Sequence, residues 1–328
     1  MASAATARTE LFRRNTVSRS LKASPALIGL IYPCMVWCIH AVSPFAVALT
    51  LLAPIACVYV AFLLAKDGRY RLALMVAYLG VGAPALYSFL GGWLDSQKWL
   101  PYRGNGVWVL LWCGLAVLTL FEDPKEANAS TASMRLGISH GISATVIAVF
   151  VVFHIANHLM GVFGGEVHIA VMRHLRLVYR EPVVEVLLGS CILFQIVSGF
   201  ILLLRRVERP AVGWVEVLQN SSGAYMLVFF ASHLSAVLRA RFIHHIDTNW
   251  VWLTADNLLK DAWSTRLVPY YFLGVLALTV HGACGLRSVL LQHDQQKIGD
   301  RVLIAALVGG ALAALVIMIA MVMGSLSS

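Results

Sequence analysis

Long apolar runs dominate the chain, and the charged residues gather in the short stretches between them. A bilayer core of about 30 Å needs ~20 helical residues, and runs of that order recur along the whole sequence. Between Lys22 and Lys66 there is no charge at all. One straight helix of that length overshoots a membrane about twofold at 1.5 Å per residue. Ser43-Pro44 lies near its middle, and proline starts a helix more readily than it continues one. The pattern therefore predicts Pro25–Ala41 and Pro44–Ala65 as separate segments. Further spans are expected at Leu72–Leu94, Gly104–Phe121, Leu136–Phe163, Val183–Leu204, Ser222–Leu238, Leu267–Leu286 and Val302–Met323. Pro33 and the short length of the first segment also suit a re-entrant or interfacial helix.

Composition sharpens this picture. The 328 residues are 59% hydrophobic and 12% charged, with mean hydropathy +0.79. Soluble domains carry about a quarter charged residues, so soluble, disordered and fibrous classes are excluded. The expected fold class is all-α, a polytopic transmembrane bundle of eight to nine spans. The net charge of +9 marks loops facing the negative compartment or anionic headgroups, not nucleic acid. Residues 1–24 are rich in Ser, Thr, Ala and Arg with the single acid Glu10. They read equally as a mitochondrial transit segment or as the basic cytoplasmic tail of a bacterial membrane protein. Arg173, Arg176 and Arg180 in one loop, and Arg205, Arg206 and Arg209 in the next, leave the orientation undecided. The six cysteines all sit in apolar stretches without CxxC or CxxCH spacing, and read as small core residues.

The candidate chemistry is histidine. His140, His154, His158, His233 and His281 fall within predicted spans of the C-terminal half, and ionisable groups in spans mark function. Carboxylates are nearly absent there, and neither a phosphate-binding loop nor a nucleophile elbow is present. Neutral imidazole is a common axial ligand of haem iron, supplied by facing helices of a bundle. His233 stands about eleven residues, ~16 Å, into its span. His281 stands some fourteen into an antiparallel one, so the two are expected at matching depth. His154 and His158 are expected nearer the far surface. Arg287 and Arg239, each six residues beyond a histidine, are about 9 Å along the axis and within reach of a propionate. A single such histidine more commonly bonds a neighbouring helix. A second reading gathers His154, His158, His168, His174, His244 and His245 at one surface as a histidine-box non-haem iron site. The HxxHH element of those enzymes is missing, however, and an interfacial role for the last four is expected instead. Asp247-Thr-Asn-Trp250 reads as a helix cap and interfacial aromatic belt.

Two stretches carry a resemblance. Ser222-Gly-Ala-Tyr-Met-Leu-Val-Phe-Phe-Ala-Ser-His233 resembles the SGxxLxxFxxxH helix of succinate dehydrogenase and fumarate reductase cytochrome b membrane anchors. His281-Gly-Ala-Cys-Gly-Leu-Arg287 resembles their HxxxG[IL]R helix. The region is also similar to the transmembrane domain of a fungal mitochondrial adaptor family linked to lipid homeostasis. The resemblance covers roughly 136–291. It implies a four-helix bundle there, with 25–135 an additional N-terminal membrane region and 292–328 a linker and terminal helix. It implies haem b on His233 and His281, with His158 or His154 in place of the first-helix histidine. It further implies electron transfer with a quinone and redox partner subunits, or a non-enzymatic adaptor that kept the fold. Gln195 stands where two-haem members place another histidine, so one haem is expected and a second is left open.

Overall fold

The computed structural model describes residues 17–40, 44–96, 104–126, 134–211 and 213–327. It is helical throughout, with no strand among the described residues. In chain order the helices are α1 (Arg19–His40), α2 (Pro44–Asp67), α3 (Arg71–Val81), α4 (Ala83–Ser96), α5 (Asn105–Leu120) and α6 (Met134–Leu159). They continue with α7 (Gly165–Tyr179), α8 (Pro182–Arg206), α9 (Trp214–Leu238), the single turn α10 (Trp250–Leu253), α11 (Leu267–Gln292) and α12 (Gln296–Leu326). Seven helices are long and apolar enough to cross a membrane, or eight when the pair α3–α4 is taken as one bent span; α5 is a shorter apolar helix. This is an integral membrane protein.

The uncharged Lys22–Lys66 run divides as expected, with α1 ending at His40 and α2 beginning at Pro44; Ser43 lies outside the described residues. The start of α1 differs from expectation. It begins at Arg19 within the basic segment, and Pro25 and Pro33 lie inside it. Each proline lacks the N–H that would bond the carbonyl four residues back, and both carbonyls are satisfied otherwise. Ser24 Oγ donates to the Leu21 carbonyl at 2.9 Å, and Trp108 Nε1 of α5 donates to the Gly29 carbonyl at 2.9 Å. A Cβ at Gly29 would stand 2.5 Å from the Trp112 ring, so glycine there lets α5 close on α1.

Leu72–Leu94 is not one straight span. It bends by 73° between α3 and α4, where Gly80-Val-Gly-Ala-Pro84 interrupts the hydrogen-bond ladder. The Glu122 carboxylate, fifty residues away in sequence, caps α3 by accepting from the N–H groups of Leu72 (2.7 Å) and Ala73 (2.9 Å). Lys22 Nζ donates to the Glu122 carbonyl at 2.7 Å and lies 4.8 Å above the Tyr70 ring. These contacts place the beginnings of α1 and α3 and the end of α5 together, at what is called here the Lys22 end. At the other end, the Trp250 end, Ser325 of α12 meets the Leu258 carbonyl and Trp263 packs on Tyr87 of α4 at 5.1 Å.

Arg173 and Arg176 do not lie in a loop. They ride on α7, an amphipathic helix between α6 and α8 that crosses nothing. Glu181 caps α8 with Pro182 at its first position, and a π-helical turn, Arg239–Ile243, ends α9. Val217 and Ala224 of α9 pack with Ala61, Leu64 and Ala77 of α2 and α3, so the N-terminal helices and the C-terminal bundle share a core. All six cysteines are free; Cys57 and Cys284 are buried as expected, whereas Cys34, Cys38 and Cys113 face outward, where apolar side chains meet lipid.

Candidate functional site: two histidine pairs in the C-terminal bundle

Antiparallel packing of α9 on α11 fixes the levels of the histidines. Tyr225 Oη donates to the Tyr270 carbonyl at 2.8 Å, a Cβ at Gly223 would come within 2.9 Å of the His281 ring, and one at Gly274 within 2.5 Å of Phe229. His233 touches Tyr271, with ring centres 6.1 Å apart. His281 lies ten residues further along α11, about 15 Å. The expected pairing of His233 with His281 is therefore not made. The reason is the start of α9. The polar run Gln219-Asn220-Ser221 reads as the edge of a span, yet the helix begins at Trp214, about 12 Å earlier, which moves His233 toward the Trp250 end.

Each histidine instead faces α6. His140 and His281 have ring centres 6.5 Å apart, and His154 and His233 6.3 Å apart. His140 and His154 are fourteen residues apart on one helix, about 21 Å along the axis and on nearly the same face. In the first pair both Nδ1 atoms are occupied. Ser198 Oγ lies 2.7 Å from His140 Nδ1 and donates its own proton to the Phe194 carbonyl at 2.5 Å, so the imidazole is the donor. His281 Nδ1 donates to the Gln219 carbonyl at 3.1 Å. Each ring is thus held in the tautomer whose Nε2 carries the lone pair. Gln195 supports the pair from α8, donating to the His140 carbonyl (2.6 Å) and to Ser143 Oγ (2.5 Å). His140 is one of the span histidines expected from sequence but is not expected in a pair, and Ser198 and Gln219 are not expected at all; the fourteen-residue spacing of His140 and His154 was the available signal.

The second pair sits among aromatics. His233 stacks on Phe229 at 5.4 Å with planes 4° apart, and His154 stacks on Phe150 at 5.3 Å. His158 lies 4.7 Å from His154 and 5.2 Å from His168, and its buried Nδ1 has no partner. His168, on α7 outside the spans, is buried between His158 and Trp250. Its Nε2 accepts from the Asn157 amide at 3.1 Å. Burial foremost, with His154 and Arg176 nearby, pulls its pKa down to about 4.

The two arginines fall at opposite ends. Arg287 Nε donates to Asp300 at 2.7 Å, and Arg239 opens the π-helical turn at the Trp250 end. The histidine box does not assemble. His174 bonds the Ala170 carbonyl of its own helix and His244 and His245 stand exposed. Among the described residues no group of three or more His, Cys, Asp or Glu side chains converges as a metal site. No known protein family, curated protein or solved structure matches the chain.

The donor set fits haem in its spacing. With metal–nitrogen bonds of about 2 Å on either side, two imidazoles that share one iron would have ring centres roughly 6 Å apart, close to both spacings seen here.

Proposed function

We propose that this protein is an integral membrane b-type haem protein, related in kind to the succinate dehydrogenase and fumarate reductase cytochrome b anchors, that moves electrons across the bilayer between two haem levels. The observation that carries the reading is the His140–His281 pair, in which both Nδ1 atoms are occupied and both Nε2 atoms left to bind. Hydrogen-bonding one imidazole nitrogen so that the other can bind is the usual support of a metal-bound histidine. His154 and His233 would hold the second group. A bound haem supplies a one-electron iron couple whose potential answers to axial ligands, hydrogen bonding and burial. Ser198 and the Gln219 carbonyl orient the first ligand pair, Phe150 and Phe229 flank the second, and the surrounding apolar side chains exclude water. Exchange of electrons with a quinone and with redox partner subunits is the part of this reading that rests on the family resemblance.

The test is an optical spectrum of the protein purified in mild detergent after expression with ample haem. A Soret band and a reduced-minus-oxidised b-type spectrum are expected, at about two haems per chain. His140→Ala or His281→Ala should remove about half of the signal and His154→Ala or His233→Ala the other half, while His158→Ala leaves both. A full spectrum in the His140→Ala, His154→Ala double variant overturns the assignment. Wild type without haem favours the non-enzymatic adaptor.

A further inference from the structure

A groove of about 650 Å³ opens at the Trp250 end, between the last turns of α12 and the junction of α6 with α7. Its volume lies within the range of sites for small molecules. Along α12 its wall runs from Val316 past Ile319 and Met323 to Ser327, eleven residues or about 16 Å, and it passes from aliphatic to polar as it nears the membrane surface. Glu166, in the first turn of α7, is the charged residue among those that line it, and that carboxylate is in no ion pair among the described residues. Trp250 forms its floor and is 6% exposed. A Cβ at Gly165 would stand 3.0 Å from the indole Nε1 and one at Gly324 2.9 Å. The N–H therefore faces the space between two lining glycines, and it has no acceptor among the described residues. The indole N–H is open to the groove, and an occupant carrying an acceptor would satisfy it.

We propose that this groove holds one glycerophospholipid with a primary-amine headgroup. The amphipathic gradient along α12 suits a molecule with a polar head at the surface and an acyl chain directed into the bilayer. The single acidic lining residue selects a cationic amine over an anionic head. The Trp250 N–H meets an ester carbonyl, the acceptor such a lipid carries at the base of its chain. The site uses α7 and α12 and none of the paired histidines, so it stands or falls independently of haem.

The full-length protein, purified in mild detergent, can be examined by native mass spectrometry and by lipid extraction. Retention of about one phosphatidylethanolamine per chain is expected, with preference over phosphatidylglycerol when the protein is placed in nanodiscs containing both in equal amounts. Glu166→Gln should reduce that preference several-fold. Ile319→Trp, on the lipid-facing wall, should expel the lipid by filling the groove; it leaves the Trp250 packing untouched and so separates loss of the site from loss of the fold. Undiminished phosphatidylethanolamine in both variants overturns the proposal. So does equal retention of phosphatidylglycerol by the wild type, or a quinone in place of the phospholipid.

Discussion

At the scale of single residues, Ser198 is the side chain whose removal is most informative. Its hydroxyl accepts from His140 Nδ1 while donating along its own helix, so Ser198→Ala leaves the N–H of a half-buried imidazole without its acceptor. Loss of such a support typically weakens metal affinity by about 10–100-fold. The expected outcome is partial haem at the His140–His281 level, with a shifted midpoint potential and altered electron paramagnetic resonance signal there and an unchanged signal at the other level. Ser198→Thr, which keeps the hydroxyl, should restore both. A shift at both levels, or at neither, argues against this role. That histidines gather inside the bundle was legible in the sequence, because histidine inside apolar spans is expensive and conspicuous. Which histidines pair was not. Depth was counted from the nearest polar residues, and Gln219, Asn220 and Ser221 lie within α9, where Gln219 turns its carbonyl to His281.

Elements depend on partners distant in sequence. The N-terminus of α3 has no capping bond from its own preceding residue Tyr70; Glu122 supplies the acceptor from beyond α5. Glu122→Ala should cost about 1–2 kcal/mol, as loss of a cap does, read as a lower detergent-solubilised Tm, with Glu122→Gln retaining part of the stability. Docking of α7 has its own pH signature. His168 is held neutral with a folded pKa near 4, whereas an exposed imidazole titrates near 6.5. Between those values the undocked form binds a proton that the docked form does not, so docking is at full strength above about 6.5 and weakens as the pH falls toward 4. The whole loss is at most about 3 kcal/mol. Trp250 fluorescence, read through the contact of its ring with His168, should change over this window in the wild type and much less in His168→Gln. The break at Pro44 was readable because proline acts locally. The bend after α3 is signalled only by Gly80, Gly82 and Pro84 inside an otherwise continuous apolar run. The helical form of α7 escapes a search for long uncharged runs, since its apolar face is interrupted by arginine on the other.

Across the whole molecule, the helix directions assign the loop charges to one end or the other. The link from α2 to α3 brings Lys66, Arg69 and Arg71 to the Lys22 end, that from α8 to α9 brings Arg205, Arg206 and Arg209, and that from α11 to α12 brings Lys297; Arg135 opens α6 there. Among the described residues the Trp250 end carries fewer cations. Ion pairs occur at both ends: Arg176 with Asp247 at 2.6 Å and Arg241 with Glu185 at the Trp250 end, Arg69 with Asp67 and Arg206 and Arg209 with Glu216 at the Lys22 end. The Trp250 end also gathers Trp250, Trp252 and Trp263, an interfacial belt. Since basic loops stay on the side of synthesis, the Lys22 end should face the cytosol or matrix, which sets the His140–His281 pair on that half and His154–His233 on the opposite half. The prediction can be read with single reporters in a chain whose native cysteines are changed to Ala. Lys260→Cys, exposed at the Trp250 end, should react with a membrane-impermeant maleimide in sealed cells or organelles stripped of outer barriers. Lys125→Cys, exposed beside Glu122, should react only after permeabilisation. The reverse pattern would invert the molecule in the membrane, and with it the side on which each histidine pair lies.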